Sequence, residues 1–319
     1  MGRWSCETNY QRENDVSEMS VGELIEQLVI TKEQVDEATG KIIPEDFKIK
    51  SAQGYYDQLQ KYYAEEKGSG YSLPWSKTDG HFAVRLGELT ILQGVSGHGK
   101  SMMLSQIFLY LMHYTKVLIA SMELKPVLQL DRMITQKLGS NQPTQNYIKQ
   151  FCKDYNEKLY IYDQQGVTTE DDLFATLLYG KHVLDINVYQ IDSLMKVNSI
   201  SEDDYNAQKR FVDKLATYCR DLNIHVFLVC HTRKMADEYQ RPDATNILGS
   251  SHIRNLADNI LLCWRNREVE DLKFSGNCPP DRENEPTAYL SVQKQRNHTF
   301  EGTFGLWFDE KSLTYKERP

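Results

Sequence analysis

A glycine-rich turn constrains this sequence more than any other feature, because it stands between an apolar run and a helical pattern. The turn has the sequence GVSGHGKS and matches the phosphate-binding pattern GxxxxGK[ST] at every fixed position. Its glycines let backbone N–H groups surround a phosphate, and the N-terminal end of the next helix adds positive partial charge. The candidate phosphate-binding residues are Gly94, Ser96, Gly97, His98, Gly99, Lys100 and Ser101. The turn therefore predicts a P-loop.

Two side chains of the turn, together with one carboxylate further along, suit the chemistry of a nucleotide and Mg²⁺. The Lys100 ammonium can reach the β- and γ-phosphates, and the Ser101 hydroxyl can ligate the metal. A later apolar run ends in Asp192, and in P-loop enzymes a carboxylate at the carboxyl edge of the sheet supplies a second contact to Mg²⁺. We therefore expect ATP, or another NTP or dNTP, together with Mg²⁺.

From residue 86 onwards, apolar β-branched runs alternate with helical patterns. The candidate strands are Leu89–Gly94, Lys116–Met122, Leu159–Tyr162, Asn187–Asp192, Ile224–Cys230, Asn259–Trp264 and Ala288–Gln293. The first five alternate with helices, which predicts βαβ units and a mainly parallel, buried sheet. The last runs lie closer together and predict antiparallel strands at one edge. The pattern favours an α/β fold.

The sequence before this core divides into two stretches. The first 50 residues are polar, and a capping-box pattern at Ser20 predicts a short amphipathic helix. Residues 51–66 place Tyr and Leu at helical spacing, and residues 67–80 are rich in Gly, Ser and Pro, which is typical of a linker or extended arm. The expected domains are a helical N-terminal extension (1–50), a linker helix and arm (51–80) and the catalytic domain (81–319).

Composition argues against several classes of protein. The 319 residues are 40% hydrophobic and 26% charged, and no apolar stretch approaches the roughly 18–20 residues that span a bilayer. The first residues lack the apolar core of a signal peptide, so we expect a cytoplasmic protein without a membrane partner. The net charge of −8 argues against non-specific coating of nucleic acid but is compatible with a local basic channel. The cysteines form no CxxC pair and are expected to be free thiols.

Two polar residues stand at the ends of further candidate strands. Glu123 follows the strand after the P-loop helix and would face the γ-phosphate, where a carboxylate can orient the attacking water. The alternative is a solvated carboxylate at the start of a helix. His231 ends the strand IHVFLVCH and would sense the γ-phosphate, although a lone histidine is more often structural. On the residues alone, both alternatives stay open.

The order of the motifs resembles one family. The segments GVSGHGKS, SMELKPVLQLDRM, VYQIDS, LVCHTRK, LGSSHIRNLADNILLCWRNRE and SVQKQRNHTFEGTFGLWFD are similar to the helicase domain of DnaB-like replicative helicases, among them the phage primase–helicases and their mitochondrial, twinkle-like relatives. The resemblance covers roughly residues 52–315. It implies a RecA-like α/β core and an ATP-hydrolysing DNA helicase.

The resemblance also implies roles in catalysis. Glu123 would be the catalytic carboxylate, Asp192 the Mg²⁺ ligand and His231 the γ-phosphate sensor. Lys294 and Arg296 match the finger residues that the family inserts into a neighbouring subunit's ATP site. Alternate residues of a strand share a face, so both could reach one phosphate.

Two further residues match the positions where the family sandwiches the nucleotide base. These are Arg265 and Phe308, a guanidinium and an aromatic ring that can stack on either side of a base. Packing of Phe308 in the core is the alternative.

The DNA contacts implied by the resemblance fall in the loop after Asp192 and in residues 232–254. The second segment carries cationic side chains, and its Gly-Ser pair can present backbone N–H groups to a phosphate. The candidates are Arg233, Lys234, Arg241, Gly249, Ser250 and Arg254. Ser251 stands where the family often has Gly, and Asp237 and Glu238 add negative charge, so the loop as a whole is a stronger candidate than any one residue.

The resemblance further implies a homo-oligomer, a hexameric ring that moves 5′→3′ on single-stranded DNA. Residues before 80 hold neither a zinc ribbon nor room for a TOPRIM domain, so a separate primase, and a loader or polymerase, would be partners. A phage or prophage gene would place the protein in the bacterial cytosol. The aromatic helix at 51–66 corresponds to the family's linker helix, which packs on the adjacent subunit. A RecA/RadA-like recombination ATPase and a KaiC-like regulatory ATPase are the alternatives.

Overall fold

The structure is a computed structural model. It describes residues 51–64, 70–198, 200, 204–232, 239–246 and 251–319. The chain separates into two compact units, residues 1–67 and residues 68–319. The predicted N-terminal extension and its capping-box helix at Ser20 lie outside the described residues.

The described part of the first unit is helical. A 3₁₀ turn at Ala52–Tyr55 leads into helix α1 (Tyr56–Ala64), so the predicted helix is present. None of its residues is buried, and its large side chains are exposed. The exposed large side chains are Tyr55, Tyr56, Leu59, Tyr62 and Tyr63.

A mixed sheet forms the centre of the second unit, and nine strands contribute to it within the described residues. Their order is β3-β2-β4-β5-β1-β6-β7-β8-β9. The first six in this order are parallel, and the pairs β6–β7, β7–β8 and β8–β9 are antiparallel. The strands are β1 (Leu89–Gly94), β2 (Val117–Ser121), β3 (Leu159–Ile161), β4 (Val188–Asp192), β5 (His225–His231), β6 (Asn259–Arg265), β7 (Ala288–Gln295), β8 (Gly302–Asp309) and β9 (Thr314–Lys316).

Helices cover both faces of this sheet. They are α2 (Lys100–Leu111), α3 (Pro126–Leu138), α4 (Gln145–Asp154), α5 (Glu170–His182), α6 (Tyr205–Leu222), α7 (Ser251–Leu256) and α8 (Arg267–Phe274). Apolar residues of α2, α3 and α4 pack in one core cluster, and those of α5, α6 and α7 pack in the other. Because both faces are covered, strands such as β1 and β4 are buried along their whole length. No described helix is long and apolar enough to cross a bilayer.

The predicted α/β fold with a mainly parallel sheet and antiparallel edge strands is confirmed. All seven predicted strands are present, and β8 and β9 were not predicted as strands. The sequence of β8, GTFGLWFD, interrupts its alternation with two glycines. Strand β9 has three residues, of which only Tyr315 is buried, so it is too short for a recognisable alternation.

The Gly-, Ser- and Pro-rich arm packs on the core of the second unit. Tyr71 pairs with Val84 in an antiparallel bridge, and Leu73 and Trp75 are buried. The Trp75 indole N–H donates to the carbonyl oxygen of Tyr315 at 2.8 Å, which ties the arm to β9. The compact unit therefore begins before the predicted catalytic-domain start at residue 81.

Candidate nucleotide and catalytic site

The P-loop lies at the carboxyl edge of the parallel strands, where ligands bind in open α/β sheets. It opens onto a cleft of about 540 Å³, within the range of small-molecule sites. The lining residues are Ser96, Gly97, Gly99, Lys100, Ser101, Met102, Glu123, Arg132, Asp192, His231, Arg265, Ala288, Phe308, Glu310, Leu313 and Tyr315. The structure thus brings most of the predicted nucleotide and catalytic residues into one cleft.

Two glycines of the turn are required by their surroundings. Gly99 has a φ of +84°, and a Cβ built there would lie 2.0 Å from the Tyr315 hydroxyl oxygen. A Cβ at Gly94 would lie 2.4 Å from the carbonyl oxygen of Cys263. Both positions exclude larger residues, so the close backbone turn that a phosphate needs depends on them.

The Lys100 ammonium lies folded back over the turn. Its Nζ donates to the carbonyl oxygens of Gly94 at 2.9 Å and Val95 at 3.2 Å, and it lies 3.4 Å from His231 Nδ1. Burial lowers the pKa of Lys100, while nearby groups that include Asp192 oppose that shift. A phosphate in the turn would supply the negative charge that this buried ammonium favours.

Ser101 and Asp192, the two predicted Mg²⁺ ligands, are in contact. The Ser101 hydroxyl donates to Asp192 Oδ2 at 2.6 Å, and Asp192 is only 3% exposed. Burial raises the pKa of the Asp192 carboxyl. A hydroxyl and a carboxylate side by side beside a phosphate-binding turn are the hard oxygen ligands that Mg²⁺ prefers, so these residues fit the metal.

Glu123 and His231 lie together at the same end of the cleft. His231 Nε2 is 3.7 Å from Glu123 Oε1, and the Ser193 hydroxyl donates to the same oxygen at 3.2 Å. The contact with His231, joined by that with Ser193, lowers the pKa of Glu123 despite partial burial. Glu123 is therefore ionised at neutral pH and can accept a hydrogen bond from a water molecule, which would orient that water.

Arg265 and Phe308 line the other end of the cleft. Arg265 Nε donates to Glu270 Oε1 at 2.7 Å, which orients the guanidinium. The Phe308 ring also packs against Tyr315, with ring centroids 5.1 Å apart. Both predicted base-binding residues are thus near the P-loop, and their stacking on a base stays a prediction.

His98 directs its side chain into the protein. Its Nδ1 accepts a hydrogen bond from the Arg265 backbone N–H at 3.1 Å, and its carbonyl oxygen accepts one from the Cys263 thiol at 3.2 Å. Burial, together with the nearby cations Arg267, Lys100 and Arg265, lowers the pKa of His98 to about 4. The neutral imidazole is therefore structural, and His98 can offer phosphate only its backbone N–H.

Lys294 and Arg296 lie at the opposite edge of the sheet from the P-loop. Arg296 donates its backbone N–H to the carbonyl of Asp258, whose own N–H bonds to the carbonyl of Leu89, the first residue of β1. The P-loop starts at Gly94, the last residue of β1, so about 16 Å of strand separate the two levels. The predicted finger residues are therefore remote from the cleft of their own chain.

Both predicted finger residues have partners inside the chain. The Lys294 ammonium donates to the carbonyl oxygens of Arg254, Asn255 and Ala257 at 2.8, 3.2 and 2.6 Å, which occupies its three N–H donors at the end of α7. Arg296 Nη1 lies 2.9 Å from Asp258 Oδ1.

The predicted DNA-binding residues are described only in part. Arg233, Lys234, Gly249 and Ser250 lie outside the described residues. The Arg241 guanidinium donates to the hydroxyls of Ser291 and Thr303 and lies 5.7 Å from the centre of the Tyr289 ring. Arg254 belongs to α7, directly after the undescribed Gly-Ser segment. The DNA-contact prediction therefore stays a prediction, and the contacts that the structure gives Arg241 anchor its loop to β7 and β8.

Several residues that line the cleft or contact its lining were not identified from the sequence. Arg132 lies in the motif segment SMELKPVLQLDRM, nine positions after Glu123, but has no pattern of its own. Ser193 directly follows Asp192, and this adjacency was an available signal. Tyr315 and Glu310 reach the cleft from the C-terminal strands, which is a tertiary arrangement that spacing along the chain does not show.

Comparison with known proteins places this geometry in a family. Residues 78–317 match the model of the DnaB-like helicase C terminal domain. A curated relative, the Twinkle homolog protein, chloroplastic/mitochondrial, of Arabidopsis thaliana, is 25% identical over an alignment of 251 residues, and the match covers 68% of this chain and 34% of the relative. The chain thus spans about a third of that relative's length.

Solved structures share the fold at low sequence identity. The ATPase domain of G40P matches with a TM-score of 0.68 at 14% identity, over 85% of this chain and 100% of that chain. A DnaB-like replicative helicase, solved in a study of its interactions with primase, matches with a TM-score of 0.66 at 14% identity, over 96% and 76% of the two chains. The predicted RecA-like α/β core is confirmed. Since the family model spans most of the sequence, this chain belongs to the DnaB-like helicase C-terminal domain family.

Proposed function

We propose that this protein is an ATP-dependent replicative DNA helicase that works as a hexameric ring and moves 5′→3′ on single-stranded DNA. One observation carries most of the proposal: the cleft holds Glu123, His231 and Lys100, while Arg296 lies at the far edge of the sheet. Fast phosphoryl transfer needs a cationic side chain that does not belong to the P-loop and that contacts the γ-phosphate. An arginine remote from its own cleft suits a neighbour's cleft instead.

The chemistry within one cleft follows from the contacts of its side chains. Glu123 orients a water for in-line attack on the γ-phosphorus and accepts its proton, and Lys100 leaves the carbonyls of the turn to neutralise the β- and γ-phosphates. Ser101 and Asp192 would hold Mg²⁺, which would supply positive charge to offset that of the phosphates. His231 contacts both Glu123 and Lys100, so loss of the γ-phosphate would change the environment of the His231 side chain.

The same contacts link ATP to DNA. His231 ends β5, and the loop that follows it carries the candidate DNA residues. That loop leads into α7, whose C-terminal carbonyls are held by Lys294. A finger that shifts toward a neighbour's γ-phosphate would therefore pull on the helix that follows the DNA-contacting segment.

The partners follow from the same proposal. Single-stranded DNA would pass through the ring, with Arg233, Lys234, Arg241, Gly249, Ser250 and Arg254 facing its backbone. The aromatic face of α1 would pack on an adjacent subunit, which would bury side chains that are exposed in one chain. A separate primase, and a loader or polymerase, would act with the helicase, and one structural relative is described together with its interactions with primase.

Unwinding of forked DNA tests this proposal. We expect ATP- and Mg²⁺-dependent release of the labelled strand from a fork with a free 5′ tail, and no release from a partial duplex that has only a 3′ tail. Lys100→Ala, which removes the phosphate-binding ammonium, is the matched inactive control.

Mass measurement on the same preparation separates the alternatives. Native mass spectrometry with Mg²⁺, a non-hydrolysable ATP analogue and single-stranded DNA should give six copies of the chain. Open filaments of variable length together with DNA-stimulated ATPase would favour a recombination ATPase. A closed oligomer whose slow ATPase ignores DNA would favour a regulatory ATPase.

A further inference from the structure

The nucleotide cleft contains one cationic side chain to which none of these roles is assigned. Arg132 lies on α3 and lines the cleft together with Met102 and Tyr315. Its Nη1 atom is buried and finds no hydrogen-bond acceptor within the described part of the chain. A buried, charged donor without a partner costs free energy, because water no longer solvates it. The position therefore favours an anion that the protein does not itself supply.

Contacts on either side fix Arg132 in this position. Gln129 and Gln136 lie on the same face of α3, one turn before and one turn after it. Gln129 Nε2 donates to the Ser105 hydroxyl at 2.8 Å, and Gln136 Nε2 donates to the Met102 carbonyl at 3.0 Å. Both acceptors belong to the P-loop helix α2, so α3 is held in register against it.

The groups around Arg132 locate it along the cleft. Arg132 lines the cleft together with Tyr315, whose ring packs against Phe308, one of the two predicted base-binding residues. The predicted contacts of Lys100 account for the β- and γ-phosphates. The remaining negative charge of a nucleotide, next to the part that carries the base, is the α-phosphate.

We propose that Arg132 binds the α-phosphate of the bound nucleotide and makes the cleft selective for phosphorylated nucleosides irrespective of the γ-phosphate. This inference rests on the proposed nucleotide function and deepens it. A guanidinium suits the task because it is charged at all working pH values and can donate two parallel hydrogen bonds to phosphate oxygens.

Binding of ADP and of a non-hydrolysable ATP analogue to Arg132→Met is the first part of the test. We expect both affinities to fall by a similar factor, roughly ten- to a hundredfold, as expected for loss of a charge-assisted hydrogen bond. Lys137→Met removes a positive charge from the exposed side of the same helix and should leave both affinities unchanged. The thermal midpoint of the nucleotide-free Arg132→Met protein should equal or exceed that of the wild type, because the variant no longer buries an unpaired donor.

Sulfur substitution identifies the phosphate. ADP with sulfur in place of one or the other non-bridging α-oxygen gives two diastereomers, and their affinities can be compared in EDTA so that metal preference does not contribute. We expect wild-type protein to bind one diastereomer more tightly and Arg132→Met to bind both with nearly equal affinity. The change in the protein and the change in the nucleotide together form a double-mutant cycle, which measures the contact between Arg132 and the α-phosphate oxygen.

Several outcomes would overturn the inference. A loss confined to the ATP analogue would assign Arg132 to the γ-phosphate. Unchanged affinities, or a diastereomer ratio equal in wild type and Arg132→Met, would leave it a structural residue, whatever the thermal midpoint. Wild-type protein that binds neither nucleotide would instead contradict the proposed function itself, so the two failures are distinguishable.

Discussion

The Ser101 hydroxyl donates a 2.6 Å hydrogen bond to Asp192 Oδ2 and joins the first turn of the P-loop helix to the carboxyl end of β4. The residues are far apart in sequence, and both line the same cleft. Their oxygens lie within one hydrogen bond of each other, so both would be available to hold one Mg²⁺ ion beside the P-loop.

Asp192→Asn should separate nucleotide binding from its dependence on Mg²⁺. The amide keeps the shape and can still accept from Ser101, but it lacks the charge that a divalent ion requires. We expect turnover to fall roughly a hundredfold or more, and nucleotide affinity to become insensitive to Mg²⁺. Isothermal titration with and without EDTA measures this. Asp221→Asn, an exposed carboxylate on α6, is the control, and a Mg²⁺ response retained by Asp192→Asn would remove Asp192 from the metal site.

Glu123→Gln should abolish hydrolysis while ATP and DNA still bind. The amide preserves the contact with Ser193 but cannot accept a proton from water, so we expect turnover to drop by roughly two or more orders of magnitude. Single-turnover hydrolysis measures the chemical step directly. Glu268→Gln, which changes an exposed carboxylate paired with Arg282, should behave as wild type. Normal hydrolysis by Glu123→Gln would make Glu123 a solvated residue at a helix start.

Trp75→Ala tests whether the arm belongs to the folded core. Trp75 is 1% exposed and donates to the Tyr315 carbonyl, so we expect the free energy of unfolding to fall by about 3–5 kcal/mol. Trp75→Phe keeps a ring and loses the N–H, and should cost about 1 kcal/mol. Denaturant unfolding monitored by circular dichroism gives both values. If Trp75→Ala lowered the free energy of unfolding by less than about 1 kcal/mol, the arm would contribute little to the core.

The parts of the site that the sequence predicts are those with a local cause. The P-loop is one uninterrupted segment, and Glu123, Asp192 and His231 each lie at or just after the end of a buried strand whose parallel neighbours end at the same edge. Other parts depend on tertiary packing. Arg132 is recognised only when α3 lies against α2, and β9 is too short for a pattern. The location of Lys294 and Arg296 became clear only with the direction and register of β7 against β6 and β1, which place them at the end of the sheet opposite their own P-loop.

Replacing Arg233 and Lys234 together by Ala should weaken binding to single-stranded DNA. Each lost phosphate contact lowers the slope of log affinity against log salt by about 0.7, so the pair should lower it by about 1.4. Basal ATPase should persist, and its stimulation by DNA should fall. Fluorescence anisotropy across a salt series gives the slope. Lys209 and Arg210 form a matched exposed pair on α6 and serve as the control. An equal loss of DNA affinity when this pair is replaced would move the DNA site elsewhere. So would unchanged DNA affinity when Arg233 and Lys234 are replaced.

The most direct measurement of the central proposal, an ATP site completed by a neighbouring subunit, is the ATPase activity of mixed rings. Arg296→Ala subunits keep an intact P-loop, and Lys100→Ala subunits keep an intact finger. Each variant alone should be nearly inactive, because a finger contributes about 10³–10⁵ in rate and the P-loop lysine is essential for the phosphates. Arg220→Ala, an exposed arginine on α6, should stay active. In rings verified to contain both inactive variants, some interfaces pair a working P-loop with a working finger, so we predict partial recovery of ATPase. Absence of any recovery in such rings would contradict the account.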